Sequence, residues 1–124
     1  MKYTLIIMAL FGSIFGSKSQ NSDVLTVLNH KEYKEAIEEK EVQLVDVRTA
    51  AEFNEGAING AINIDYFEQD VFDQKFDKLD KDQPVYLYCR SGNRSQKAAA
   101  KLETLGFKKI YDLKGGYMSW PYNN

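Results

Sequence analysis

Apolar positions along this chain form short runs that alternate with amphipathic stretches. Short runs rich in β-branched and aromatic residues predict strands at 24–28, 42–47, 61–64, 85–88 and 109–111. Apolar residues at helical spacing predict helices at 30–40, 49–53, 66–79 and 95–105. Short strands alternating with helices predict an α/β domain with a mainly parallel central sheet of about five strands and helices on both faces.

Cap residues support two of these helices. Asn29 precedes the first helix and Glu32 follows three residues later, the spacing of a capping box. Thr49 is expected to cap the second helix, and Gly56 to end it. A glycine turn at 115–116 then leads into a terminal helical turn in which Trp120 is expected to pack against the core.

The N-terminal residues 1–19 predict a secretory signal peptide. Lys2 supplies a positive charge, an apolar region follows, and small Ser17 and Ser19 fit a cut before Gln20. The expected domain is therefore 20–124, exported, with the bacterial periplasm as its location. The apolar region is short and interrupted by Gly and Ser, which disfavours a membrane span and any stable membrane association after removal. An uncleaved anchor helix is the alternative.

Composition limits the classes of function. The net charge is −2 and no basic run is present, which argues against nucleic-acid binding. One cysteine and one histidine cannot build a zinc cage, so we expect no metal and no cofactor. A single thiol cannot form an internal disulfide, and in an exported protein it is either reactive or a site of intermolecular pairing.

Cys89 is the candidate nucleophile. It lies between the strand 85–88 and a helix, where backbone N–H groups and the positive end of the helix dipole favour a thiolate. Arg90 and Arg94 flank it, two of only three arginines in the chain, which points to recognition of an anion. The alternative is a buried structural cysteine. It is disfavoured because the residues after Cys89 carry no aliphatic side chain.

Four motifs resemble those of the single-domain rhodaneses, which are sulfurtransferases. The run 89–95 (CRSGNRS) resembles the family's active-site loop. Three further matches follow the family's order, namely 46–48 with 52–53, 56–64, and 113–120. The second of these motifs usually has His after its first glycine, where this chain has Ala57. The remaining histidine, His30, is expected to be a surface residue rather than a base.

The resemblance implies a two-step sulfur transfer. The Cys89 thiolate would attack the outer sulfur of a small anionic donor such as thiosulfate, release sulfite and carry a persulfide. Cyanide, a thiol or a protein sulfur acceptor would then take the sulfur. The residues implied to hold the substrate are those of the loop: Arg90, Ser91, Gly92, Asn93, Arg94 and Ser95.

Individual loop residues have expected roles. Backbone amides of 90–95 would cradle the sulfur, and Gly92 would permit the turn. Arg90 and Arg94 would attract the donor, and Ser95 would cap the following helix and donate a hydrogen bond to the sulfur. Asp46 and Arg48 are expected to brace the site as an ion pair rather than to react, with Asp46 supporting the loop through Arg94.

Two other functions remain open at this point. A non-enzymatic sulfur carrier or partner-binding module would have the same fold. A cysteine phosphatase or arsenate reductase would share the fold as well, but these enzymes have a longer loop than the four residues that separate Cys89 from Arg94. The shorter loop suits one sulfur atom better than a tetrahedral phosphate.

Overall fold

The computed structural model describes residues 23–39 and 41–122. The predicted signal peptide, 1–19, lies outside these residues. The strands are β1 Leu25–Leu28, β2 Gln43–Asp46, β3 Ile62–Asn63, β4 Val85–Tyr88 and β5 Ile110–Leu113. The helices are α1 His30–Glu39, α2 Ala50–Glu55, α3 Gln69–Phe76 and α4 Asn93–Thr104, followed by a 3₁₀ turn at Tyr117–Ser119.

The five strands form one parallel sheet in the order β1-β5-β4-β2-β3. β4 lies between β5 and β2, and its side chains are mostly buried, as expected for a central strand that is apolar nearly throughout. Because all strands run the same way, their carboxyl ends meet at one edge. Asp46 at the end of β2 pairs in register with Tyr88 at the end of β4, so the segments that follow these strands are neighbours.

Helices cover both faces of the sheet, which confirms the predicted architecture. On one face, Phe72 and Phe76 of α3 and Ala98 and Leu102 of α4 are buried against strand residues. On the other face, Tyr33 of α1 anchors a second apolar cluster. Burial of these apolar side chains is the main favourable contribution to the fold.

The predicted packing of the terminal turn is confirmed as well. Trp120 packs edge-on to Tyr33, with 6.0 Å between the ring centroids. Trp120 thereby joins the apolar cluster that Tyr33 anchors and ties the turn at Tyr117–Ser119 to the α1 face of the sheet.

The capping box predicted at Asn29 forms, and the cap predicted at Thr49 forms as part of a second capping box with Glu52. The Glu32 amide donates to Asn29 Oδ1 at 2.8 Å, and the Glu52 amide donates to Thr49 Oγ1 at 3.2 Å. Gly56 ends α2, as expected. The predicted helix 66–79 is shorter at both ends, and β5 runs two residues beyond its predicted end. Within the part of the chain that the structure describes, no helix is long and apolar enough to cross a bilayer.

Candidate active site

Cys89 is the first residue after β4 and precedes α4, as the sequence predicts. The Gly92 amide donates a hydrogen bond to Cys89 Sγ at 3.0 Å. The side chain is 1% exposed and belongs to the apolar cluster under α4. The buried position of Cys89 is the one expected of a structural cysteine. Its surroundings are those of a reactive cysteine, because a backbone amide donates to the sulfur and a helix N-terminus lies next to it. Each of these two features stabilises a thiolate.

The loop residues differ in their exposure to solvent. Arg90, Ser91 and Asn93 are exposed, whereas Gly92 is buried. Gly92 has φ +111°, a value that L side chains rarely adopt, and this turn aims its amide at the sulfur. Of the amides expected to cradle the sulfur, that of Gly92 makes a hydrogen bond to the Cys89 sulfur.

Ser95 does not have the predicted position. α4 begins at Asn93, so Gly92 is the N-cap and Ser95 lies inside the first turn. The Ser95 side chain is fully buried and donates to the Gly92 carbonyl at 3.2 Å rather than capping the helix or reaching the sulfur. The prediction was wrong because a glycine with positive φ starts the helix without help from a side chain.

Arg94 is held by Glu52 of α2. Its Nη1 and Nη2 donate to Glu52 Oε1 and Oε2 at 2.8 and 3.0 Å, a bidentate ion pair. Hydrogen bonds from Arg94 lower the pKa of Glu52 to about 2. The pKa of Arg94 is raised by its hydrogen bonds to Glu52 and, to a smaller extent, by the charge of Cys89. Arg94 thus lies close enough to Cys89 to interact with it electrostatically, while Glu52 engages its two terminal nitrogens.

The predicted ion pair of Asp46 and Arg48 forms, but Arg94 is bound by Glu52, so the expected support of the loop by Asp46 through Arg94 is wrong. Asp46 is fully buried, and Arg48 donates to it from its backbone amide at 2.8 Å and from Nη2 at 2.6 Å. Arg48 Nη2 also donates to the Gly56 carbonyl at 2.7 Å, and its guanidinium lies 4.4 Å from the Tyr117 ring centroid. The pair joins the ends of β2 and α2 to the closing segment, residues 113–120.

The closing segment rests directly on the Cys89 loop. The amides of Tyr117 and Met118 donate to the carbonyls of Cys89 and Arg90 at 2.8 and 3.0 Å. A Cβ placed on Gly116 would lie 2.3 Å from the Arg90 carbonyl oxygen, so this approach requires glycine. Sequence reasoning identifies a turn here but not its contact with the loop, because nothing in the local pattern shows which backbone the glycine meets.

A pocket of about 370 Å³ opens beside the loop, lined by Arg48, Glu52, Glu55, Gly56, Arg90, Tyr117 and Met118. Two large apolar residues that contact the loop have side chains facing solvent: Met118 is 62% exposed and Phe67 is 63% exposed. Phe67 lies against Arg94, whose guanidinium carbon is 5.3 Å from the ring centroid. The surroundings of the loop therefore combine cations, acids and apolar surface in a space larger than a small anion needs.

His30 packs against the closing segment rather than against the nucleophile. It is half-buried and lies edge-on to Trp120, with 6.2 Å between the ring centroids. The Cys89 sulfur accepts its hydrogen bond from Gly92 and not from this imidazole. Within residues 23–39 and 41–122, no three His, Cys, Asp or Glu side chains cluster in a way that could hold a metal ion.

Comparison with known proteins identifies the family. The model of the Rhodanese-like domain family matches residues 29–122. This chain belongs to the rhodanese-like domain family. It is similar to the thiosulfate sulfurtransferase GlpE of Shewanella oneidensis, with 38% identity over 70% of this chain and 83% of that protein. It also resembles the crystal structure of a rhodanese-like domain protein from Staphylococcus aureus, with a TM-score of 0.67 and 32% identity over 76% of this chain and 89% of that one.

Another relative is not named as a sulfurtransferase. The tRNA uridine(34) hydroxylase of Pelagibacter ubique is 32% identical over 77% of this chain, which spans only 32% of that protein. The rhodanese-like domain thus occurs both by itself and as part of larger proteins. Relatives named for sulfur transfer make this chain a sulfurtransferase-type protein by family. Its substrate and mechanism depend on the residues of its own loop.

Proposed function

We propose that this protein transfers a sulfane sulfur from a donor such as thiosulfate to a nucleophilic acceptor through a persulfide on Cys89. The observation that carries the proposal is the hydrogen bond of 3.0 Å from the Gly92 amide to Cys89 Sγ, at the N-terminus of α4. A thiol that accepts from a backbone amide at a helix N-terminus is stabilised as a thiolate, which is the reacting species.

The proposed reaction has two balanced steps. In the first, a lone pair on the Cys89 thiolate forms an S–S bond to the outer sulfur of thiosulfate, and the bond from that sulfur to the sulfonate sulfur breaks. Sulfite leaves with the electron pair. In the second, cyanide or a thiolate attacks the terminal persulfide sulfur, the S–S bond breaks, and the Cys89 thiolate is restored. No external oxidant or reductant is needed.

Arg90 is the cation best placed to meet the donor. It is exposed, lines the pocket and has its backbone held by the Met118 amide, whereas Arg94 is already engaged by Glu52. We infer that Arg90 attracts the anion and that Arg94 holds the loop and supports the thiolate by its field. Ser91 and Asn93 are exposed on the same turn and are proposed to contact the bound donor.

Intact-mass spectrometry tests the nucleophile. Protein incubated with thiosulfate is expected to gain one sulfur, about 32 Da, and cyanide is expected to remove it. The Cys89→Ser variant, folded by circular dichroism, is expected to show neither change. A sulfur adduct on Cys89→Ser, or unchanged catalytic sulfur transfer by that variant, would overturn the assignment.

The acceptor is proposed to be a thiol on another protein. Phe67 and Met118 present exposed apolar surface beside the loop, which a small acceptor such as cyanide does not need. Replacing both with Ser is expected to raise KM for a thiol-bearing protein acceptor about fivefold while the rate with cyanide stays unchanged. Ile62→Ser is the matched control, since Ile62 is an apolar side chain that is 47% exposed in β3, the edge strand of the sheet. Equal losses with both acceptors would contradict a docking role.

Two alternatives have their own tests. Hydrolysis of an aryl phosphate, or reduction of arsenate, well above the rate of Cys89→Ser would favour a phosphatase or arsenate reductase. Capture of a partner with equal affinity by the wild type and Cys89→Ser, without persulfide formation from any sulfane-sulfur donor, would favour a carrier or binding module. The hydrogen bond from the Gly92 amide to the Cys89 sulfur favours the sulfurtransferase over the binding module, because a purely binding role does not need it.

We also propose that the protein is exported to a bacterial periplasm after cleavage before Gln20. The support is the charged, apolar and small-residue pattern of 1–19. Expression in a bacterial host followed by fractionation and N-terminal sequencing tests it. A retained N-terminus in the membrane fraction would instead support an anchor.

A further inference from the structure

Asp112 is a buried acid that sulfur transfer, as proposed above, does not use. It lies in β5 next to apolar strand neighbours, in register with Leu87 of β4 and Val27 of β1, and is 1% exposed. Its Oδ1 is buried without a hydrogen-bond partner. A carboxylate in such a place is costly unless it is neutralised or fully hydrogen-bonded, so the residue calls for an explanation.

Ser95 and Gln96 in the first turn of α4 lie next to this carboxyl. Burial raises the pKa of Asp112 to about 7, and hydrogen bonds with the side chains of Ser95 and Gln96 and with the Leu113 amide lower it by smaller amounts. The Ser95 hydroxyl has a single proton and donates it to the Gly92 carbonyl at 3.2 Å. Its oxygen can therefore accept a hydrogen bond from a neutral Asp112, but it cannot at the same time donate one to an ionised Asp112.

Gly92 connects this pair to the nucleophile. Its carbonyl accepts from the Ser95 hydroxyl and from the Gln96 amide at 3.1 Å, and its own amide donates to Cys89 Sγ at 3.0 Å. The orientation of Gly92 is thus fixed on one side by the sulfur and on the other by α4. A change in the hydrogen bond from Ser95 to the Gly92 carbonyl therefore affects Gly92, whose amide donates to the Cys89 sulfur.

We propose that Asp112 is a positioning residue for the Cys89 loop: its neutral carboxyl donates to the Ser95 oxygen and leaves the Ser95 hydroxyl donating to the Gly92 carbonyl, whereas its carboxylate accepts the Ser95 hydrogen bond in place of that carbonyl. Ionisation also places a negative charge under the first turn of α4, where it competes with the thiolate for the helix dipole. Both effects weaken the support of the Cys89 thiolate as the pH rises through the titration of Asp112.

The other groups around Asp112 do not replace this role. From α4 the neighbours Ser95 and Gln96 are uncharged, and the strand neighbours Leu87 and Val27 are apolar. From α1, the Tyr33 hydroxyl donates to the Leu87 carbonyl at 2.8 Å, and its pKa is raised well above 10.0, first by burial and then by the charge of Asp112. Tyr33 therefore stays neutral while Asp112 titrates.

The direct test is an NMR titration of the Cys89→Ser protein, in which the thiol no longer contributes. We expect the Asp112 carboxyl carbon and the Gly92 amide to share one inflection near pH 7. In Asp112→Asn, whose neutral amide can still donate to Ser95, the Gly92 resonance is expected to be flat. In Ser95→Ala the Asp112 carboxyl is still expected to titrate, but the change in the Gly92 amide chemical shift is expected to fall to less than about half of that seen with Ser95 present. A flat Gly92 resonance while Asp112 ionises, or a titration that persists in Asp112→Asn, would overturn the proposal.

The kinetic consequence rests on the proposed function and is measured separately. In the protein with Cys89 intact, the ratio of the rate of persulfide formation at about pH 8.5 to that at about pH 6 is expected to rise about threefold in Asp112→Asn. Glu103→Gln removes a charge from the exposed end of α4 and is expected to leave this ratio unchanged. An unchanged ratio in Asp112→Asn would refute the coupling to Cys89. Absence of any persulfide in all proteins would refute the proposed function and leave the NMR result valid.

Discussion

Glu52 and Arg94 form a bidentate ion pair between α2 and the first turn of α4, with N–O distances of 2.8 and 3.0 Å. The pair lies at the edge of the pocket and links a residue of the helix after β2 to the loop after β4. It keeps both terminal nitrogens of Arg94 on a carboxylate. An anion can therefore bind these nitrogens only by displacing Glu52, which leads to the first prediction.

Glu52→Gln is expected to lower KM for thiosulfate about threefold, because the substitution frees Arg94 and removes a negative charge from the pocket. Glutamine keeps an acceptor for the Thr49 amide, which donates to Glu52 Oε1 at 3.0 Å, so the capping box survives. Steady-state kinetics measure the effect. Glu55→Gln is the control, since Glu55 lines the same pocket without holding Arg94, and an equal change in both variants would show a simple charge effect.

The same pair predicts how stability depends on pH. The pKa of Glu52 falls from 4.5 to about 2 in the folded protein, so the pair stabilises the fold fully above about pH 4.5 and loses its contribution as the pH falls toward 2. Urea unfolding at about pH 6 and pH 3 is expected to show a difference between wild type and Glu52→Gln of about 1 kcal/mol at the higher pH, and a smaller one at the lower pH. The same difference in unfolding free energy at both pH values would contradict this prediction.

Gly116→Ala is expected to impair the site and the fold together. The new Cβ would lie 2.3 Å from the Arg90 carbonyl oxygen and 2.6 Å from the Ser91 nitrogen, which forces the Cys89 loop away from the closing segment. We expect a loss of about 2 kcal/mol in the free energy of unfolding, measured by chemical denaturation, and a drop of about tenfold in the rate of persulfide formation.

Gly60→Ala provides the matched control for this clash. Gly60 also has a positive φ, +91°, but no atom lies within 4 Å of the position that its Cβ would take. Its substitution is expected to cost about 1 kcal/mol through backbone strain alone, with activity per folded molecule unchanged. Equal effects at the two glycines would show that φ, and not contact with the loop, decides the result.

Asp46→Asn is expected to destabilise the protein by about 3 kcal/mol. The substitution leaves the Arg48 guanidinium, in a residue that is 5% exposed, without its carboxylate. Chemical denaturation measures the loss. Glu38→Gln breaks the exposed pair with Lys34, at 2.7 Å, and is expected to leave the unfolding midpoint unchanged. A small effect for Asp46→Asn would mean that water or another acceptor replaces the carboxylate.

Arg90→Gln is expected to raise KM for thiosulfate about tenfold with a smaller change in kcat, because Arg90 is exposed at the pocket and attracts the donor before reaction. Arg90→Lys, which keeps the charge but loses the planar fork, is expected to fall between the wild type and Arg90→Gln. Lys97→Gln, an exposed cation of α4, is the control. A change in kcat alone would place Arg90 in the chemical step instead.

The local parts of this structure can be predicted from the sequence because their causes are local. The bounds of β4 follow from one apolar run, and the capping box at Asn29 follows from residues three positions apart. The position of Cys89 between a strand and a helix follows from the same patterns. The start of α4 is predicted too late, because the positive φ of Gly92, which is not visible in the pattern, allows the helix to begin at Asn93.

The long-range parts cannot be predicted in the same way. Sequence reasoning predicts the ion pair of Asp46 and Arg48 but also a contact of Asp46 with Arg94, whereas Arg94 binds Glu52, 42 residues distant in the chain. Choosing between such partners requires the positions of three separate elements. Asp112 is missed as well, but a signal exists: an acid inside the apolar run Ile110–Leu113 places a carboxyl in a buried strand.

The position of β5 has a consequence for how the protein comes to be active. β5 lies between β1 and β4, and the amides of Tyr117 and Met118 support the Cys89 loop. During synthesis, β1 therefore has no sheet partner until β5 emerges, and the thiol is made well before the segment that seats it. The nascent chain therefore carries a cysteine whose loop lacks this support until the segment through Met118 has folded onto it.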